Sequence, residues 1–323
     1  MFKILTALPV LALMACSDVP APTETGSTQV ALYNSEPDRM ALGQLSYRGG
    51  LHIEHPDERF GGWSALEVSA DGTQILSVSD SAYWMTASLG WDESGFIAYV
   101  DDIEIAPILG TEGQILEGRE ADSETIALMA DGRYAVSFER HHRINAYDLG
   151  MDLSGITSAV GEALPIPPGA DDLPNNGGLE GLTPLGDGGY LAAIEYPEDA
   201  ASPRLLWRYD GADWFEVHIA PTPDYGLTSL TRHGGYIYAL ERFWNETDGN
   251  RIRIIRFDES QIYGEALIEP ELLGALESEN PVDNFEGISV IDHGGEALVL
   301  IISDDNYNAF GAQRTLLLAF AVE

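Results

Sequence analysis

The sequence predicts an all-β chain folded as a β-propeller, with five repeat copies visible, five or six blades, and a ring closed by an N-terminal strand. Three observations predict it. From residue 40 onward no stretch keeps a 3.6-residue apolar period. Short β-rich runs bounded by Gly, Asp-Gly and Pro signals stand there instead. A unit of strand, Gly turn and strand then recurs at 63–80 (WSALEVSADGTQILSVSD), 123–140 (SETIALMADGRYAVSFER), 178–196 (GLEGLTPLGDGGYLAAIEY), 226–242 (GLTSLTRHGGYIYALER) and 285–305 (FEGISVIDHGGEALVLIISDD).

Each copy is followed by a candidate third strand, at 96–101, 143–149, 204–210, 251–258 and 314–320. Taking Glu67, Glu124, Glu180, Ser229 and Glu286 as equivalent positions gives spacings of 57, 56, 49 and 57 residues. A period of this length in an all-β chain points to blades that bury their faces only against neighbours. Candidate fourth strands are 214–220 and 266–273, and the last copy runs out of chain soon after Phe320. Residues 41–53 (ALGQLSYRGGLHI) supply the missing outer strand and remove an exposed edge. A β-sandwich is the competing architecture, but it gives no reason for a three-strand motif to repeat in fixed order.

Ahead of the propeller, residues 1–15 read as a lipoprotein signal peptide. Lys3 is a minimal positive region, residues 4–14 are apolar and too few to span a bilayer, and Cys16 follows a small residue. Lipidation is expected at Cys16, and an ordinary secretory peptide is the other reading. Residues 16–40, opening SDVPAPTETGSTQV after the cysteine, read as a flexible tether, and 41–323 as the folded domain. The expected location is the cell envelope after export, on the outer membrane facing the periplasm, with membrane contact only through the lipid.

Composition removes several functions. The chain has 323 residues, with 53 Asp plus Glu against 16 Lys plus Arg, for a formal charge of −37. With no basic run, nucleic acid is excluded as a partner. Lys3 is the sole lysine, so a Schiff base, covalent pyridoxal phosphate and a GxxxxGKS phosphate loop are excluded in the folded part. Cys16 is the sole cysteine, which excludes disulfides there.

In a hairpin the start of one strand lies beside the end of the next. This pairs Glu67 with Asp80, Glu124 with Glu139, Glu180 with Glu195 and Glu286 with Asp304, with Glu241 alone in the fourth copy. Carboxylates converging on one channel mouth raise one another's pKa and call for counter-ions. Calcium, which accepts six to eight oxygen ligands, is the expected cofactor. Asn175, Asn176, Asn284 and Asn306 add neutral oxygens, whereas HExxH and other zinc spacings are missing. Taken singly, each acid also reads as a solvated turn residue.

Arg140, His142 and Arg143, beside His141, are candidates for holding an anion at that mouth, and they read equally as an exposed loop. Arg232-His233-Gly234 resembles the start of histidine acid phosphatases but lacks the further Arg and sits in an inter-strand turn, so it carries no assignment. No GxSxG occurs. Trp84, Trp91, Trp207, Trp214 and Trp244 read most simply as packing between blades, though Tyr83-Trp84 and Phe243-Trp244 directly follow rim acids and are candidates for the floor of a pocket.

Asp283-Asn284-Phe285-Glu286-Gly287-Ile288, Ser303-Asp304-Asp305-Asn306, Gln313-Arg314-Thr315-Leu316-Leu317-Leu318 and Gly178-Leu179-Glu180-Gly181-Leu182 together resemble the phytase-like family with esterase-like activity, over residues 45–320. The resemblance implies an exported bacterial propeller that hydrolyses a phosphate ester. It puts Glu180 and Glu286 in the family's EG motif and Asp304 and Asn306 in its SDDN motif, while Glu67 and Glu124 lack the following Gly. The expected function is a calcium-dependent phosphoesterase acting on a small anionic ester. The alternatives are a non-catalytic calcium-stabilised propeller with an envelope ligand, and a lactonase-like ester hydrolase.

Overall fold

A computed structural model describes residues 25–197, 199, 202–308 and 313–323. Five sheets are arranged as a β-propeller. Blade one is built from Glu67–Val68, Gln74–Val78, Tyr83–Trp91 and Ile97–Pro107; blade two from Ser123–Leu128, Tyr134–Phe138, Arg143–Tyr147 and Glu162–Leu164. Blade three uses Leu179–Pro184, Tyr190–Ile194, Arg204–Tyr209 and Trp214–Ile219, and blade four Gly226–His233, Tyr236–Asn245, Gly249–Asp258 and Glu271–Leu276. Blade five takes Asn284–His293, Glu296–Asp304 and Thr315–Val322 from the C-terminus, and its fourth strand, Leu45–Glu54, from the N-terminus. The first strand of each blade packs on the first strands of both neighbours, which closes a five-membered ring.

Packing follows the period-2 alternation of each strand. In blade four, Ile237 and Ala239 face blade three while Tyr238 and Leu240 face blade five. The buried apolar residues accordingly form five clusters, each shared by two consecutive blades. Polar ties cross the same seams: Ser123 Oγ donates to Ser79 O at 2.5 Å, Ser137 Oγ to Leu179 O at 2.7 Å, and Val68 N to Ser289 Oγ at 3.1 Å.

Three expectations need correction. In blade one the third strand is Tyr83–Trp91 and the run beginning near residue 96 is the fourth strand. The fourth strand of blade four is Glu271–Leu276, a few residues later than expected. The tether expected to run to residue 40 is already folded by residue 26: Gly26–Gln29 pairs with Leu45–Glu54, and Leu32 and Tyr33 are buried in the seam between blades four and five. The expected signal peptide and Cys16 lie outside the described residues. Among the described residues no helix is long and apolar enough to cross a membrane.

Candidate functional site

At the start of four blades the first strand carries a β-bulge, between Ser123 and Thr125, Leu179 and Gly181, Leu227 and Ser229, and Phe285 and Gly287. Blade one repeats it, since Trp63 pairs with Ser79 whereas Glu67 pairs with Leu76, a register one residue apart. A bulge leaves its extra residue unpaired and re-aims the side chain. The bulged residues are Ser64, Glu124, Glu180, Thr228 and Glu286. Opposite them, just past the last paired residue of the second strand, or at its last pair, stand Asp80, Glu139, Glu195, Arg242 and Asp304.

All of these but Thr228, whose hydroxyl donates to Phe285 O, line a cavity of about 860 Å³. Eight carboxylates line it: Asp80, Asp122, Glu124, Glu139, Glu180, Glu195, Glu286 and Asp304. Arg140 and Arg242 are its only arginines among the described residues. Glycine lets the acids sit tight against the backbone: a Cβ added at Gly226 would lie 2.7 Å from Glu195 Oε1. Arg140 and Asn306, both on the wall, hold left-handed backbone at φ 53 and 47, a conformation that side chains other than glycine seldom adopt.

Burial dominates the electrostatics. It pushes Asp80 up to about 6 and Glu139 and Glu286 up to about 7. Burial and the neighbouring acids hold Glu124, Glu180 and Asp304 well above the usual carboxylate range. Glu124, Glu195 and Glu139 are among the neighbouring charges that raise Glu180.

Opposing this, Arg242 Nη2 lies 3.3 Å from Glu195 Oε1 and 3.6 Å from Glu286 Oε1, and its Nη1 donates to Asn284 Oδ1. Arg140 Nε is 2.5 Å from Asp122 Oδ2. Asn284 Nδ2 donates to Glu286 Oε1 and to Asp304 Oδ2, at 2.8 and 3.0 Å. Asp122, Glu124 and Glu139, all buried, each offer an oxygen within 4.8 Å of the others. This buried acidic triad is a donor set of hard oxygens alone and fits a hard divalent cation.

Most of the residues expected at the mouth are therefore together: Asp80, Glu124, Glu139, Glu180, Glu195, Glu286, Asp304 and Asn306 line one cavity, and Asn176 and Asn284 with them. Glu67 is not among them. It accepts from Leu128 N at 3.3 Å, at the far end of the blade-two strand, and burial raises it to about 7. Glu241 points away from the cavity and pairs with buried Arg204 at 3.4 Å, Arg253 at 3.7 Å and the Thr222 hydroxyl at 2.8 Å.

Of the expected anion-binding residues only Arg140 reaches the cavity. His142 is buried behind Gly178, with Nε2 2.9 Å from Pro174 O. Arg143 lies 3.8 Å over the Phe138 ring and donates to Glu120 O. Asn175 Oδ1 accepts from Arg119 instead of facing the cavity. Sequence reasoning missed Ser64, Thr228, Asp122 and Arg242. The ADG turns at 70–72 and 130–132 align Ser64 with Glu124, a signal that the choice of an acid at 67 overrode.

The fold and cavity define a β-propeller whose central mouth is a carboxylate-rich, partly neutralised basin. The chain belongs to the phytase-like family, described as esterase-like activity of phytase, which it matches over residues 58–307. Among solved structures it is similar to a virginiamycin B lyase from Staphylococcus aureus (13% identity, 91% of this chain and 99% of that chain, TM-score 0.43). It is also similar to a putative gluconolactonase (12%, 94% and 96%, 0.43) and a β-xylosidase (15%, 81% and 92%, 0.47). A search of curated protein sequences finds no match.

Proposed function

We propose that the chain is a calcium-dependent phosphoesterase, with its chemistry in the cavity at the mouth of the propeller. One observation carries this reading: three buried carboxylates within 4.8 Å of one another, in a cavity that Arg140 and Arg242 also face. The family's esterase-like description supports hydrolysis in general.

Asp122, Glu124 and Glu139 would hold the cation. When bound, it would neutralise the ester's charge and polarise the bond to be cut. The chain's own residues do the rest. Arg242, held by Glu195, Glu286 and Asn284, presents a fixed guanidinium to an anionic oxygen. Glu286, pushed up to about 7, can hold or release a proton near neutral pH, the condition for acid and base work. Glu195 and Asn284 keep Arg242 in place.

The test is the metal content of purified protein coupled to turnover of an aryl phosphate and a lactone, with chelator and with calcium restored. Phosphate release that stops with chelator and returns with calcium supports the reading. Turnover of the lactone alone replaces it with ester hydrolysis at carbon. No turnover, with a chelator-induced fall in Tm, leaves the cation a structural part of a binding propeller. We further propose, from Lys3, the apolar stretch after it and Cys16, an envelope location. Loss of metabolic lipid labelling in Cys16→Ser tests it.

A further inference from the structure

The second-to-third-strand hairpin of blade four is longer than its counterparts. Its pairing runs from Tyr236 with Asp258 to Asn245 with Gly249, ten rungs, against five in blade two and four in blade three. It therefore continues past Arg242 and lifts Phe243 and Trp244 above the level of the carboxylates. The Trp244 side chain is large, apolar and 58% exposed, although it lines the acidic cavity. A solvated indole at this place has no packing purpose.

Trp244 also lines a second cleft of about 360 Å³, with Tyr196, Thr222, Asp224, Tyr225 and Phe243. The two cavities thus share a wall. Tyr196 joins them from the other side: it is 47% exposed, lines the cleft, and directly follows Glu195 of the acidic cavity in the chain. The ring pair Tyr225 and Phe243, 5.6 Å apart, is set by Arg253 lying 5.5 Å over Tyr225 and Arg251 5.4 Å over Phe243. Asp224 closes the cleft on exposed left-handed backbone, and its carboxylate has no hydrogen-bond or ion-pair partner among the described residues.

Aromatic faces beside an unengaged carboxylate suit one kind of ligand better than others. The faces cover the C–H side of a saturated ring, and the carboxylate accepts from ring hydroxyls. An anion would be repelled by Asp224, a cation would compete with Arg253 and Arg251 already lying over the Tyr225 and Phe243 rings, and a purely apolar group would leave that carboxylate desolvated and unpaired. We propose that this cleft is a subsite for an uncharged sugar ring, the part of the substrate next to the bond that the acidic cavity cuts. This deepens the ester reading: the substrate class becomes a sugar carrying a single ester, not a polyanion. The size of the cleft is in the range of small-molecule sites.

The test reads binding without turnover. Saturation-transfer difference NMR would be run on chelator-treated, full-length protein with methyl glycosides of glucose, galactose, mannose and xylose, and with phenol. At least one glycoside should bind, its Kd should rise about fivefold in Trp244→Ala, and it should be unchanged in Phe215→Ala, an exposed aromatic on the outer strand of blade three. No transfer to any glycoside overturns the proposal, as does transfer that Trp244→Ala leaves intact. Transfer to phenol alone makes the occupant an aryl ring and overturns it equally. Because no ester is present, sugar binding without phosphoesterase activity sinks the ester reading alone, and activity without sugar binding sinks the subsite alone.

Discussion

Arg242 Nη2 sits 3.3 Å from Glu195 Oε1, and Arg242 occupies the position that Asp80, Glu139, Glu195 and Asp304 hold in the other four blades. The fourth blade thus brings a covalently attached cation to a ring of acids. Breaking a buried pair by removing one partner strands the other charge. Arg242→Gln should lower the unfolding free energy in chelator by about 3 kcal/mol. Added calcium should recover more stability in this variant than in the parent, as read by urea unfolding with and without the ion. Equal calcium increments in both would show that Arg242 does not share the role of the cation.

Glu67 offers a test of burial away from the cavity. Burial lifts its folded pKa to about 7, above the ordinary glutamate value of 4.5, so between those pH values the folded state binds more protons than the unfolded one. The cost of Glu67 is therefore absent below about pH 4.5, grows as pH rises, and is complete above about 7. Glu67→Gln keeps an acceptor for Leu128 N and carries no such cost. The two proteins should match in stability near pH 4.5, and the variant should lead by roughly 2 kcal/mol at pH 8. A difference that does not vary with pH would refute the account.

If the proposed cation binds at Asp122, Glu124 and Glu139, it displaces protons, because burial holds the last two carboxyls above the ordinary range. Calorimetry at pH 6.5 in buffers of different ionisation enthalpy should report at least one proton released per calcium. Glu139→Gln should weaken calcium by about 100-fold. Heats that do not depend on the buffer would place the ion elsewhere.

The ring closes through Leu45–Glu54 against Thr315–Val322. Deleting residues through 54 exposes the edge of the third strand of blade five and uncovers Leu316, Leu318 and Phe320. Cooperative thermal unfolding should be lost in that truncation and kept in one that removes only residues 1–24, as followed by calorimetry.

Much of this was legible in residue order. Asp-Gly and Gly-Gly turns with flanking alternation marked each hairpin, and residues 41–53 were readable as the missing outer strand because the last copy lacked one. The convergence of Glu124, Glu180 and Glu286 followed from the repeat. What failed did so by single residues. A bulge adds one unpaired residue to a strand, and a one-residue change of register turns a side chain to the other face. Spacing alone cannot display it, so Thr228 hid behind Ser229 and Arg242 behind Glu241. Blade one failed differently: its paired first strand, Glu67–Val68, is two residues long, and the polar interruptions in YWMTASLGW disguised a third strand.

The N-terminal closing strand has a mechanical consequence. Gly26–Gln29 lies outermost on blade five, beyond Leu45–Glu54, which in turn holds the C-terminal strand. Tension applied at residue 25 would load the rungs of that outer pair first, and the closing strand after them. Gly26–Gln29 and Thr315–Val322 are fastened into one sheet, so the remaining four blades would stay slack until that latch gave way.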